Sequence, residues 1–255
     1  MAFSENEKIK ISPKDFIFRY IRYIPLFILS VGLALFIAFL YLRYTVPFYN
    51  ARATLLIKTN AQGGSNDDVN NMFFNSARSN ISNEIELLKS LTLAKRVATS
   101  LNLQKKNYTK GNIKTTLNYP VSPIELDIIK LKDSANAVGF NIYVQNEREY
   151  SFENSEGEIK TFGQPFENAS GIFRIVKNEA VPLNLAFREY ILSWEPLTNA
   201  GFFVLGGLGV APAKDGSNIL ALTYFTPQPE LGKAILNQLI VEYQKLNVED
   251  RRQMA

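Results

Sequence analysis

From Tyr23 to Leu42 the chain runs for twenty residues without a formal charge, YIPLFILSVGLALFIAFLYL. At about 1.5 Å rise per residue, a helix of that length covers roughly the 30 Å thickness of a bilayer's hydrocarbon core. Pro25 falls in the first turn, where its missing N–H would be unbonded in any case. Tyr20 and Tyr23 flank one end and Tyr41 and Tyr44 the other, the placement expected of aromatic residues in two headgroup layers. The competing reading, a buried core helix, would have to enclose this whole uncharged run.

The flanks set an expected orientation. Lys8, Lys10, Lys14, Arg19 and Arg22 precede the run, whereas only Arg43 and Arg52 follow closely. The positive-inside rule then predicts a cytoplasmic N-terminus. A cleaved signal peptide is disfavoured, because both the apolar run and the tail before it are too long. The small-x-small triplet nearby, Ala51-Arg52-Ala53, lies in a strand-like stretch. An uncleaved anchor is the expectation.

Charge outside this region is nearly balanced. Residues 1–44 hold six basic and three acidic side chains, which accounts for +3 of the net +4. The basic balance therefore belongs to the membrane-proximal tail and gives no support to nucleic-acid binding. The sequence has no cysteine and no histidine. That excludes disulfides, thiolate chemistry, Ser-His-Asp and Cys-His catalysis, and His-based zinc sites within these residues. Carboxylate chemistry and all-oxygen metal sites stay open. No catalytic set, cofactor motif or metal-ligand spacing is visible.

Past the apolar run, VPFYNARATLLIK alternates and is rich in strand formers, so 49–58 reads as a strand. Residues 60–71, NAQGGSNDDVNN, read as a mobile loop, without the spacing of a calcium-binding loop. Two helices are expected within 79–103. Ile81, Ile85 and Leu88 line the first, and Leu93, Val97 and Leu101 the second. Residues 104–227 read as mainly β, with strands at 125–130, 139–145, 150–153, 158–162, 171–176, 189–195 and 218–225. Gly206-Gly207-Leu208-Gly209 lacks the spacing of a phosphate-binding loop and reads as a flexible turn. From Pro227 to the end a helix is expected, with Leu231, Ile235, Leu239, Tyr243 and Leu246 on one face. No Gly, Asn or Pro closes it, the look of a chain cut inside a helix.

These pieces come in a recognisable order. Pro47-Phe48-Tyr49-Asn50-Ala51-Arg52-Ala53-Thr54-Leu55-Leu56-Ile57 resembles the P-x-Y-x-A-x-A entry strand of Wzz-type chain-length determinants, the polysaccharide co-polymerases. Asn83-Glu84-Ile85-Glu86-Leu87-Leu88-Lys89-Ser90, with 97–103 after it, is similar to that family's helical stretch ending in L-x-L. Asn218-Ile219-Leu220-Ala221-Leu222, then Pro229-Glu230 and 234–243, resembles its strand-to-helix passage A-x-x-x-N-x-L-x-x-x-Y.

The resemblance implies an α+β chain: an N-terminal transmembrane helix, a mixed α/β periplasmic domain and a long C-terminal helix, here truncated. The expected parts are a cytoplasmic tail at 1–22, the membrane helix at 23–44, the periplasmic domain at 45–227 and the start of the long helix at 228–255. It implies residence in the bacterial inner membrane and assembly of several copies into a ring. The implied partners are the lipid bilayer, the growing glycan, and the polymerase and export machinery of surface polysaccharide. A second membrane helix, and in one branch a tyrosine autokinase, would lie beyond Ala255. The extended β-rich middle resembles the autokinase-linked kind. No cofactor and no catalytic residue are expected in the residues present. The candidate residues are structural: Pro47, Tyr49 and Ala51 at the membrane exit, and Pro229, Asn237 and Tyr243 on the final helix. Two other readings stand beside this one, a single-pass sensor ectodomain and an anchored periplasmic enzyme. The first is disfavoured by the short N-terminal tail, the second by the missing catalytic constellation.

Overall fold

The computed structural model describes residues 21, 23–57, 81–111, 113–154, 156–184 and 187–253. The chain divides into two compact units, Met1–Val46 and Pro47–Ala255. In the first, helix α1 spans Ile24–Tyr44, 21 residues with no buried side chain and a mean hydropathy of 2.5 over an 18-residue window. That length and composition suit a membrane crossing, and a signal sequence near an N-terminus has the same look. Pro25 sits in the first turn and Arg43 in the last. Thr45 closes the helix, its N–H and its hydroxyl both donating to the Tyr41 carbonyl, at 2.9 and 2.6 Å.

The second unit is mixed α/β. In chain order it contains β1 (Tyr49–Leu56), helical residues 81–88 (α2), and α3 (Leu91–Ser100). Nine strands follow, β2 (Lys105–Lys110), β3 (Thr115–Leu117), β4 (Ile124–Leu131), β5 (Val138–Val144), β6 (Glu149–Phe152), β7 (Ile159–Thr161), β8 (Pro165–Asn168), β9 (Gly171–Lys177) and β10 (Glu189–Trp194). The chain then forms α4 (Leu197–Gly206), β11 (Leu208–Pro212), β12 (Ile219–Thr226) and α5 (Pro229–Gln253).

Two hydrophobic cores organise these elements into two lobes. In the first lobe an antiparallel sheet of order β1-β12-β11 carries helices on one face. The alternation in β1 turns Ala51, Ala53 and Leu55 inward, each opposite a buried residue of β12, namely Tyr224, Leu222 and Leu220. Helix α3 starts where the Ser90 hydroxyl accepts the Leu93 N–H at 3.2 Å, and it buries Leu93, Ala94, Val97 and Ala98. Helix α4 closes on it through Gly201, where a Cβ would stand 2.9 Å from Leu91 Cδ1. Helix α5 adds Leu231, Ile235, Leu236, Leu239 and Tyr243 to the same core.

The second lobe is a β structure inserted between α3 and α4. Its sheets have the orders β3-β2-β10-β5-β6-β7 and β4-β9-β8. They enclose Ile124, Leu126, Ile142, Tyr150, Phe173, Ile175 and Leu192, with Phe140, Phe152 and Phe166 in edge and tilted ring contacts at 5.1 to 6.0 Å. Entry and exit coincide: Lys105 lies opposite Trp194, and the Glu195 N–H donates to the Gln104 carbonyl at 2.8 Å. Leu117 and Tyr119 pack on the first core, and polar contacts tie the lobes at the seam. Lys106 Nζ is 2.7 Å from Glu195 Oε2 and 4.1 Å from the centre of the Phe203 ring, and Gln228 Nε2 donates to the Leu117 carbonyl at 2.6 Å.

The two expected helices and the strands expected from alternation are present, with ends shifted by a residue or two. The stretch 104–227 is mainly β, as expected, with α4 within it, and β2, β3, β8 and β11 add strands that alternation did not signal. One expectation needs correction. The glycine-rich run 206–209 is no flexible turn throughout: Gly206 ends α4, Gly207 makes the turn, and Leu208 and Gly209 already belong to β11. The expected strand 49–58 ends at Leu56. The polar stretch 60–71 lies outside the described residues.

Candidate functional site

Four of the six candidate residues come together on one groove of about 390 Å³. Its lining comprises Tyr49, Asn50, Ala51, Arg52 and Ala53 of β1 with Pro229, Lys233, Leu236 and Asn237 of α5. Because β1 is an edge strand, side chains from both of its faces can border a groove along its free edge. The helix lies close there because position 232 is glycine: a Cβ would stand 3.0 Å from Thr226 Cγ2 and 3.1 Å from Ala51 Cβ.

Pro47 and Tyr243 do not border the groove. Pro47 is exposed in the segment leading into β1. Tyr243 is buried further along α5, where its hydroxyl donates to Glu84 Oε2 of α2 at 2.7 Å. Burial first, and then the Glu84 carboxylate, push its phenol up to about 12. One turn beyond the groove, the buried Glu242 accepts from Gln238 Nε2 and Lys245 Nζ at 2.8 Å and from the Ser100 hydroxyl at 3.0 Å. The Lys245 hydrogen bond, opposed by burial and helped by Ser100 and Gln238, holds this carboxyl below its usual range. These contacts fasten α5 to α2 and α3.

Sequence reasoning missed Arg52 and Lys233. The signal for Lys233 was present, since Pro229, Lys233 and Asn237 recur every four residues and share a helix face. For Arg52 it was weaker, an outward position in an alternating strand. The groove walls present a guanidinium, an ammonium, two amides and a phenol above a floor of Ala51, Ala53 and Leu236. No carboxylate lines it, so the groove suits recognition of hydrogen-bond acceptors and negative charge.

A second groove, of about 410 Å³, opens in the β lobe between Phe140, Phe152, Phe166, Glu153, Glu158, Lys160 and Glu167. Its lysine is committed, pairing with Glu158 at 2.8 Å. Among the described residues no group of three or more Asp or Glu side chains is placed to hold a metal ion. Fold and groove define a class, a mixed α/β protein with one apolar N-terminal helix able to serve as an anchor. No protein-family model and no curated protein matches this chain.

Proposed function

We propose that this chain is an inner-membrane polysaccharide co-polymerase, a chain-length determinant of the Wzz type acting as an oligomeric scaffold. One observation carries the reading. The stretches that resemble the family, 47–57 and 218–243, are far apart in sequence, yet they form one continuous layer. Tyr49 through Leu56 pair with Thr226 through Ile219 without interruption, and α5 packs across both strands. A third matching stretch, 83–90, meets the same layer through Glu84 and Tyr243.

In this reading α1 crosses the inner membrane with the N-terminus in the cytoplasm and the α/β unit in the periplasm. Copies assemble side by side, and the assembly holds or measures the growing glycan beside its polymerase and exporter. The chain's own contribution is mechanical: it positions partners and carries out no bond chemistry. Deleting the gene in its host and resolving surface polysaccharide by length tests this. A shifted or collapsed length distribution, restored by the full-length gene, is the expected result. An unaltered distribution would favour the sensor-ectodomain reading. Replacing Asn237 with leucine tests the groove's share, and unchanged oligomer size and polymer length would remove Asn237 from it.

A further inference from the structure

The groove between β1 and α5 is mainly apolar, and several donor-bearing side chains that the fold leaves unused border it. The side chains of Arg52, Asn50 and Asn237 and the Tyr49 hydroxyl make no hydrogen bond or ion pair among the described residues. Lys233 has one partner, Glu230 at 2.9 Å, with both side chains about 60% exposed at 63% and 60%. Such a surface pair is weak and screened, so it leaves the ammonium able to engage a second anion. The floor, by contrast, is small and apolar. A ligand that fits both parts carries negative charge with several acceptor oxygens and has an apolar portion.

Tyr49 follows Tyr44, the last residue of α1, by five residues of chain. A bilayer that holds α1 therefore keeps its headgroup layer within reach of a five-residue tether. Phe48 and Phe225, 69% and 56% exposed, add aromatic rings beside the groove's β1 end, Phe225 standing opposite Asn50. Exposed aromatic residues of this kind favour a headgroup layer. We infer that this groove holds the phosphate of an anionic lipid headgroup, with Arg52 and Lys233 as the charge-bearing contacts and Asn50, Asn237 and Tyr49 as further donors. The assignment rests on α1 being a membrane anchor, as proposed above. It gives the α/β unit a second hold on the bilayer, through residues that sequence places at opposite ends of the chain.

The test uses the full chain in detergent micelles doped with equal phosphatidylglycerol and phosphatidylcholine, with retained lipids counted by native mass spectrometry. Each surface cation near anionic lipid is worth about a fivefold preference, so R52Q/K233Q should lower the phosphatidylglycerol-to-phosphatidylcholine ratio roughly 25-fold. The charge-matched control K130Q/K214Q, at exposed positions outside the groove, should leave it unchanged. An unchanged ratio in R52Q/K233Q, or an equal fall in the control, would overturn the assignment. Binding of inorganic phosphate that falls in R52Q/K233Q while the lipid ratio stays unchanged would also overturn it, as the groove would then be a site for free anions. Alkaline carbonate extraction of membranes separates the two layers of the argument. A chain that stays in the pellet keeps the anchor whatever the lipid ratio, and a chain that washes off removes the anchor and this inference together.

Discussion

Replacing Tyr243 with phenylalanine removes one oxygen atom and tests what fastens α5. The phenol is 6% exposed and donates to Glu84 Oε2 at 2.7 Å, while its ring stays packed in the first lobe's core. Hydrogen bonds to a charged acceptor contribute about 1.5–3 kcal/mol. Glu84 is only half-buried and can recruit water once the phenol is gone, which places the loss at the low end, about 1.5 kcal/mol. A unit of roughly 200 residues has an unfolding entropy near 0.4 kcal/mol per kelvin at its midpoint. The expected fall in Tm is therefore about 3–4 °C. Circular dichroism melts of the full chain in detergent measure it, and E84Q/Y243F completes a double-mutant cycle. The cycle should show coupling of about 1 kcal/mol. A Tm within 1 °C of the parent, or strict additivity in the cycle, would refute the idea that this bond ties α5 to α2.

Three further outcomes are expected. Glu242 has a folded-state pKa below its ordinary 4.5, so the unfolded chain takes up its proton first as pH falls. The stability it contributes is complete above about pH 4.5 and fades as pH drops through the lower folded value, and E242Q should flatten that part of an acid titration. Gly171 has φ +155°, and a Cβ there would lie 2.2 Å from the Lys130 carbonyl, next to the irregular pairing of β4 with β9. G171A should therefore cost about 3 kcal/mol or more, read as a lower denaturation midpoint. Excising 105–194 and joining Gln104 to Glu195 through Asn-Gly should leave the first lobe folded. Its cooperative helical melt would survive with a lower midpoint, since the packing of Leu117 and Tyr119 on the first core goes with the insert, together with the seam contacts of Lys106 and Gln228. A chain without a cooperative transition would show that the lobes fold as one.

Much of the local structure is written in short-range pattern. The uncharged run at Tyr23–Leu42 determines α1 by length and composition alone. Alternation determines β1, β5 and β12, where every second side chain turns inward, partly buried in β1 and buried in β5 and β12, and helical spacing determines the inner stripe of α5. Patterns of this kind are legible because each residue's fate depends on neighbours two to four positions away.

What the pattern could not reveal depends on distant partners. Lys-Lys-Asn-Tyr-Thr-Lys shows no apolar alternation to mark a strand, yet it is β2, because Lys106 becomes buriable once Glu195 and Phe203 stand beside it. Leu197–Gly206, with two glycines, Thr, Asn and paired phenylalanines, has poor helix propensity. It is a helix because Gly201 lets it close on α3 and bury Ala200 and Val204. The groove itself belongs wholly to the tertiary structure. Sequence marked Tyr49, Ala51, Pro229 and Asn237 as separate structural residues. Only the long-range pairing of β1 with β12, and the glycine that seats α5 on them, brings those four beside Arg52 and Lys233.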